Sequence, residues 1–326
     1  MHIPFLLTPA GKECIWGGIR LKNEFFKNLC FPSLAETWEC STHPEGPSKV
    51  ASGPYNGQTL QDVLIRRPDF IGTHPKVVNG QIPILVKLID AQQDLSVQVH
   101  PSDEYARVHE NGQLGKTEMW YILHAEPGAK LVYGFAHEMT KELVLKTLAD
   151  KTFPKYLQYI PVRTNDVFYI EPGTVHAIGK GIVLAEVQEN SNITYRLYDY
   201  ERVDKTGQTR VLHRQKALDV ANLRVSKEQI QPMRTLNYQP GCAKELIGRC
   251  KYFFVERILV NCSSKRPLSY QTGQNSFRVL LCTQGEGYMN WKTEKLSFKK
   301  GDCLFVPANS ILLDIVGNVR FLQVSC

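Results

Sequence analysis

The sequence contains no run of 18 apolar residues, so no membrane-spanning helix is expected. No Lys/Arg run is interleaved with aromatic residues, which argues against a nucleic-acid surface. Nine cysteines stand at 14, 30, 40, 242, 250, 262, 282, 303 and 326, an odd number with no pair at C-x-x-C spacing. That pattern argues against a thiolate metal site and for reduced, mostly buried thiols. The stretch "GKGIVLAE" lacks the G-x4-G-K-[ST] spacing of a phosphate loop, and no low-complexity segment is present. The start, "MHIPFLLTPAGKEC", has no basic first segment, and Pro4 and Pro9 interrupt its apolar part, so a cytoplasmic location is expected.

What is present suits a soluble globular protein of 326 residues, with 43% hydrophobic and 22% charged residues. The formal charge of +7 is compatible with an anionic substrate but does not demand one. Most of the chain reads as short strands separated by Gly, Pro and Asn. Helices are expected in "TLQDVLIRRP" with Thr59 as N-cap, in "SDEYARVHENG" from Ser102 or Asp103, and in "LHRQKALDVANL". "MTKELVLKTLADKTFPKYLQYIP" predicts two short helices with a break near Pro154. Residues 225–245 turn polar and Pro-marked, which places a boundary near 240 and leaves an all-β end.

The chain echoes itself once. "NDVFYIEPGTVHAI" (Asn165 to Ile178) and "GDCLFVPANSILLDI" (Gly301 to Ile315) share a turn, an Asp, an apolar strand, a second turn and another strand. This outline resembles the cupin hairpin G-x5-P-x-G-x2-H, whose last residue binds a metal. The first copy keeps Gly173 and His176, with Asn165 and Glu171 as substitutes for Gly and Pro. The second keeps Gly301 and Pro307, but has Asn309 in place of Gly and Leu312 in place of His. Leucine offers no ligand atom. The expectation is a mainly β protein of two cupin-like jelly-roll β-sandwiches: residues 1–240 with helical insertions and a metal site, and residues 241–326 without one.

Three further stretches converge on that site. In "LSVQVHPSDEY", strand alternation puts Leu95, Val97 and Val99 on one face and Ser96, Gln98 and His100 on the other. In "GKTEMWYIL", Lys116 and Glu118 share a face with Trp120 and Ile122. "PGTVHAIG" places His176 on a hairpin. Two imidazoles, a carboxylate and an amide oxygen suit catalytic zinc, while iron and manganese stay open by ligand type. Lys87, in the apolar run "PILVKLID", is a weaker candidate for holding an anion.

"IWGG", "AETWECSTHPEGPS", "LSVQVHPSDEYA", "GKTEMWYIL" and "GTVHAIGKGIVLAEVQENSNITYRLYDYER" together resemble the type I phosphomannose isomerases, in particular their short bacterial form. The resemblance covers roughly the first 200 residues, and the end of the chain matches the family's second cupin domain. It implies one Zn2+ per chain on His100, Glu118 and His176, with Gln98 as a further ligand in larger members. It implies Arg196 as the catalytic arginine, Glu186 and Lys116 as active-site acid and lysine, and Ser96 near the substrate phosphate. Two departures limit the carry-over. Gly115 stands where larger members have a His, and "NSN" at Asn190 to Asn192 replaces their "SDN".

The implied reaction interconverts mannose 6-phosphate and fructose 6-phosphate through an enediol. A Lewis acid stabilises the developing oxyanion, and a base moves the carbon-bound proton. Glu186, Lys116 and a zinc-bound water stay open as that base. Arg196 could steady the enediolate or, like Ser96, hold the phosphate. The implied partner is a small sugar phosphate, with no nucleic acid and no membrane; oligomeric state is not readable. Two other readings compete: an iron-dependent cupin dioxygenase, told apart by oxygen consumption, and a sugar-phosphate-binding cupin, told apart by binding without turnover.

Overall fold

The computed structural model describes residues 1–75, 77, 79–204, 206–227, 231 and 235–326. Six residues of the 225–245 boundary region, 228–230 and 232–234, lie outside the described residues. Among the described residues no helix is long and apolar enough to cross a membrane. The fold is mainly β, as expected, and its sheets pair antiparallel.

The chain divides into two compact units, each discontinuous in sequence, whereas the sequence reading drew one cut at 240. The first comprises 1–12, 19–88 and 232–326, and the second 13–18 and 89–231. The strand Ile84–Ala91 leads from one into the other.

The first unit is built on a ten-stranded sheet. Its path runs Leu236–Gln239, Cys242–Arg249, Phe254–Cys262, Leu313–Ser325, Arg278–Trp291, Cys303–Val306, Phe5–Thr8 and Lys49–Val50. Alternation along these strands buries one face: Val260, Leu280, Leu304, Ile315 and Phe321 share a core. Phe5 and Phe277 stack on Phe305 at 5.3 and 4.9 Å. The hairpin that echoes His176 ends here with Leu312 exposed.

The second unit carries the site. One sheet runs Tyr195–Tyr198, Val97–Val99, His176–Ala177, Lys130–Phe135 and Leu157–Pro161. Val97, Val99, Val132, Ala177, Tyr195 and Leu197 point from it into an apolar core. The strands Val167–Ile170, Glu118–Ala125 and Ile182–Glu189 form a second antiparallel set. Helices begin where the N-caps predict: Thr59 precedes Leu60–Arg66 in the first unit, and Ser102 precedes Asp103–His109 in the second. Arg214–Val220 is also helical. One expectation fails. After Lys141–Ala149, the predicted second helix is a single 3-10 turn, Phe153–Tyr156, and then the strand Leu157–Pro161. Pro154 permits the first turn, but Leu157 and the residues after it alternate inward and outward and pair with Lys130–Phe135.

Candidate metal centre

The row Ser96, Gln98, His100 is divided from Val97 and Val99 by the pleat. The valines belong to the core, while Gln98 stands in register with His176 on one side and Arg196 on the other. Three adjacent strands thus present His176, Gln98 and Arg196 side by side. His100 leaves the strand at the His-Pro step, and its carbonyl accepts a hydrogen bond from Gly173 N–H at 2.9 Å. Gly173 has φ +87, a conformation that favours glycine, so the cupin-type turn and the strand end are joined where only a bare backbone fits easily.

His100, Glu118 and His176 are all buried, and one ligand atom from each lies within 4.8 Å of the others. Among the described residues this is the only such group. His100 Nδ1 lies 2.8 Å from Ile193 O, and His176 Nδ1 lies 2.8 Å from Thr174 O. A carbonyl only accepts, so each Nδ1 carries the proton and each Nε2 presents a lone pair inward. His100 Nε2 is 3.1 Å and His176 Nε2 3.8 Å from the Glu118 carboxylate. Burial, with Lys116 adding to it, pushes the His100 imidazole down to about 3. Burial also lowers His176. Burial raises Glu118, but the Lys116 ammonium beside it outweighs this and holds the carboxyl well below its usual range.

These groups fit a divalent cation. His100 Nε2 and Glu118 Oε1 are buried and neither makes a hydrogen bond. Lys116 Nζ, 2.8 Å from Glu118 Oε1, is an ion pair outside directional hydrogen-bond geometry. Orphaned acceptors of this kind are costly unless an ion engages them. Carbonyl-oriented imidazoles are the usual outer support of metal ligands. Gln98 Nε2 stands 3.4 Å from His176 Nε2, beside the group.

Around this centre lie the remaining predicted residues. Glu186 is buried, and Trp120 Nε1–H bridges Glu186 Oε2 and Glu118 Oε2 at 3.1 Å each. Sequence reasoning placed Trp120 on the Glu118 face but missed this bridge, which needs the Trp120–Glu186 register. Ser96 Oγ accepts from Arg196 Nε at 3.2 Å. Lys87 lies in the first unit, where its ammonium is 3.6 Å from Glu36 and 5.1 Å over the Trp38 ring. Gly115 is explained by space: a Cβ there would meet the backbone of Ser102 and Asp103 at 2.4 Å. A histidine at this position would have to displace the start of the Asp103–His109 helix.

Residues 5–117 match the family model of the type I phosphomannose isomerase catalytic domain. Mannose-6-phosphate isomerase ManA of Bacillus subtilis is 38% identical over 93% of each chain. The chain belongs to the mannose-6-phosphate isomerase family. A solved structure of the Bacillus subtilis mannose 6-phosphate isomerase is similar with a TM-score of 0.90, at 33% identity over 99% of both chains. The Salmonella typhimurium mannose 6-phosphate isomerase, solved with its substrate (f6p) and zinc, shares the fold: TM-score 0.72, 16% identity, 98% of each chain.

Proposed function

We propose that this enzyme interconverts mannose 6-phosphate and fructose 6-phosphate through an enediol, with one zinc ion per chain. The observation that carries the reading is the buried His100–Glu118–His176 group, in which His100 Nε2 and Glu118 Oε1 make no hydrogen bond. Family membership supplies the substrate class, and zinc accompanies the substrate in the Salmonella relative. His100 and His176 would hold the ion through Nε2 and Glu118 through its carboxylate, with Gln98 as an added oxygen ligand. When bound, the ion supplies Lewis-acid stabilisation of charge on the C1 and C2 oxygens.

The chain's own residues supply the rest. Glu186, oriented by the Trp120 N–H, is the proposed base for the carbon-bound proton. Lys116 keeps Glu118 ionised and places a second positive charge beside the reacting oxygens. Arg196 offers a planar fork to an anionic oxygen, and Ser96 fixes its Nε edge. Lys116, Glu118 and Glu186 are buried, which strengthens the interactions among them. Lys87, engaged by Glu36 and Trp38, is kept as a weaker phosphate candidate. Residues 241–326, where Leu312 replaces the ligand, are proposed to act without a metal.

The test follows the sugar by NMR in deuterated water, starting from mannose 6-phosphate with and without chelator. Fructose 6-phosphate formed only by metal-loaded protein, with partial deuterium at the exchanged carbon, is the expected result. Saturable binding without conversion would move the weight to a binding role. Oxygen consumption would move it to a dioxygenase.

A further inference from the structure

Arg196 lies on Tyr195–Tyr198, the outermost strand of its sheet, with Val97–Val99 on its only strand-paired side. Such an edge leaves backbone groups unpaired. His213 takes them: its N–H donates to Arg196 O at 2.7 Å, and its Nδ1 accepts from Arg196 N–H at 3.2 Å. Ring and backbone together do here what a sixth strand would do. The same segment reaches the guanidinium, since Val211 O accepts from Arg196 Nη1 at 3.0 Å while Ser96 Oγ takes Nε.

The segment is tied at both ends. Arg210 Nε donates to Asp199 Oδ2 at 2.7 Å, and Asp199 also holds Arg202 at 2.5 Å. His213 O accepts from Ala217 N at 2.8 Å in the first turn of Arg214–Val220.

We infer that His213 is a positioning residue for Arg196, and that Arg210–His213 is the strap that holds the guanidinium against Ser96. The inference rests on the isomerase reading of the site. An unrestrained arginine has several rotatable bonds to order at each turnover, and a misplacement of about 1 Å can cost about 10²-fold in rate. The strap settles that ordering in the folded state. The Nδ1 acceptor requires a neutral ring, and burial lowers the His213 pKa in agreement.

The test compares His213→Asn with His213→Gln in the zinc-loaded full chain. The Asn oxygen falls near the place of Nδ1; the Gln oxygen falls near that of Nε2. We expect His213→Asn to keep most of kcat/KM and His213→Gln to lose about tenfold or more. In an Arg196→Lys background, which lacks the fork, His213→Gln should cost less than about a further twofold. Equal losses in both backgrounds, no loss in either variant, or an Asn variant as poor as Gln would overturn the positioning role. Calorimetric titration with fructose 6-phosphate reads the same series by affinity. Absence of turnover in the zinc-loaded wild type would instead overturn the isomerase reading, and the titration would still decide the role of His213.

Discussion

His100 Nε2 and Glu118 Oε1 face each other at 3.1 Å, both buried and both acceptors. The Ile193 carbonyl holds the His100 proton on Nδ1, so no proton of that ring lies between them. The Lys116 ammonium, 2.8 Å from Glu118 Oε1, compensates the carboxylate, but the buried His100 lone pair makes no hydrogen bond and is left for a metal ion.

His100→Ala is therefore expected to lose bound zinc and turnover together, with activity down by at least about 10²-fold. Far-ultraviolet circular dichroism should stay close to wild type, because Val97 and Val99 still anchor the strand. Metal analysis of the purified variant is the check. Full zinc with full activity would remove His100 from the site.

Chelation should lower the melting temperature as well as the activity, because a ligand that binds only the folded state adds stability. At 100 times Kd the gain is about 2.7 kcal/mol. Differential scanning calorimetry with and without added zinc measures it. An unchanged melting temperature would mean that these three residues do not hold the ion tightly.

Trp120→Phe keeps an aromatic ring at this buried position, though a smaller one, and removes the N–H that Glu118 and Glu186 share. A hydrogen bond to a charged group contributes about 1.5–3 kcal/mol, so kcat should drop by about tenfold or more while the fold is retained. Steady-state kinetics with metal content held constant tests this. A larger effect on KM than on kcat would place Trp120 in substrate binding instead.

Glu189 gives a pH signature in folding stability. Burial, reinforced by the Asp103 carboxylate, raises its pKa from 4.5 to about 8. Between those values the folded chain binds a proton that the unfolded chain has lost. Stability therefore falls as pH rises from about 4.5 to 8, by up to about 1.4 kcal/mol per pH unit from this group. Glu189→Gln should flatten that slope and raise stability at pH 8 relative to wild type. Urea unfolding at pH 5 and pH 8 compares the two, and parallel slopes would exclude Glu189 as the source.

Much of the site could be read from one dimension. Alternation alone separated Ser96, Gln98 and His100 from Val97 and Val99, because a strand's period of two is a local property. The helix starts at Thr59 and Ser102 were readable because a cap is a contact over three residues. Where the local signal was mixed the reading failed, as after Pro154, where pairing with Lys130–Phe135 overrides helical spacing.

Residue type and short spacing were enough for the mainly β class, for the family resemblance and for naming His100, Glu118 and His176 as a candidate metal group, which the fold brings together. The rest depends on contacts between distant parts of the chain. The imidazole tautomers are set by the carbonyls of Ile193 and Thr174, the Trp120 bridge by strand register, and the confinement of Arg196 by Val211 and His213. These are hydrogen bonds, and apart from the His176–Thr174 and Trp120–Glu118 contacts they join groups 15 to 93 residues apart. Their partners are chosen by where the sheets bring backbone atoms together, and no periodicity along the chain encodes that.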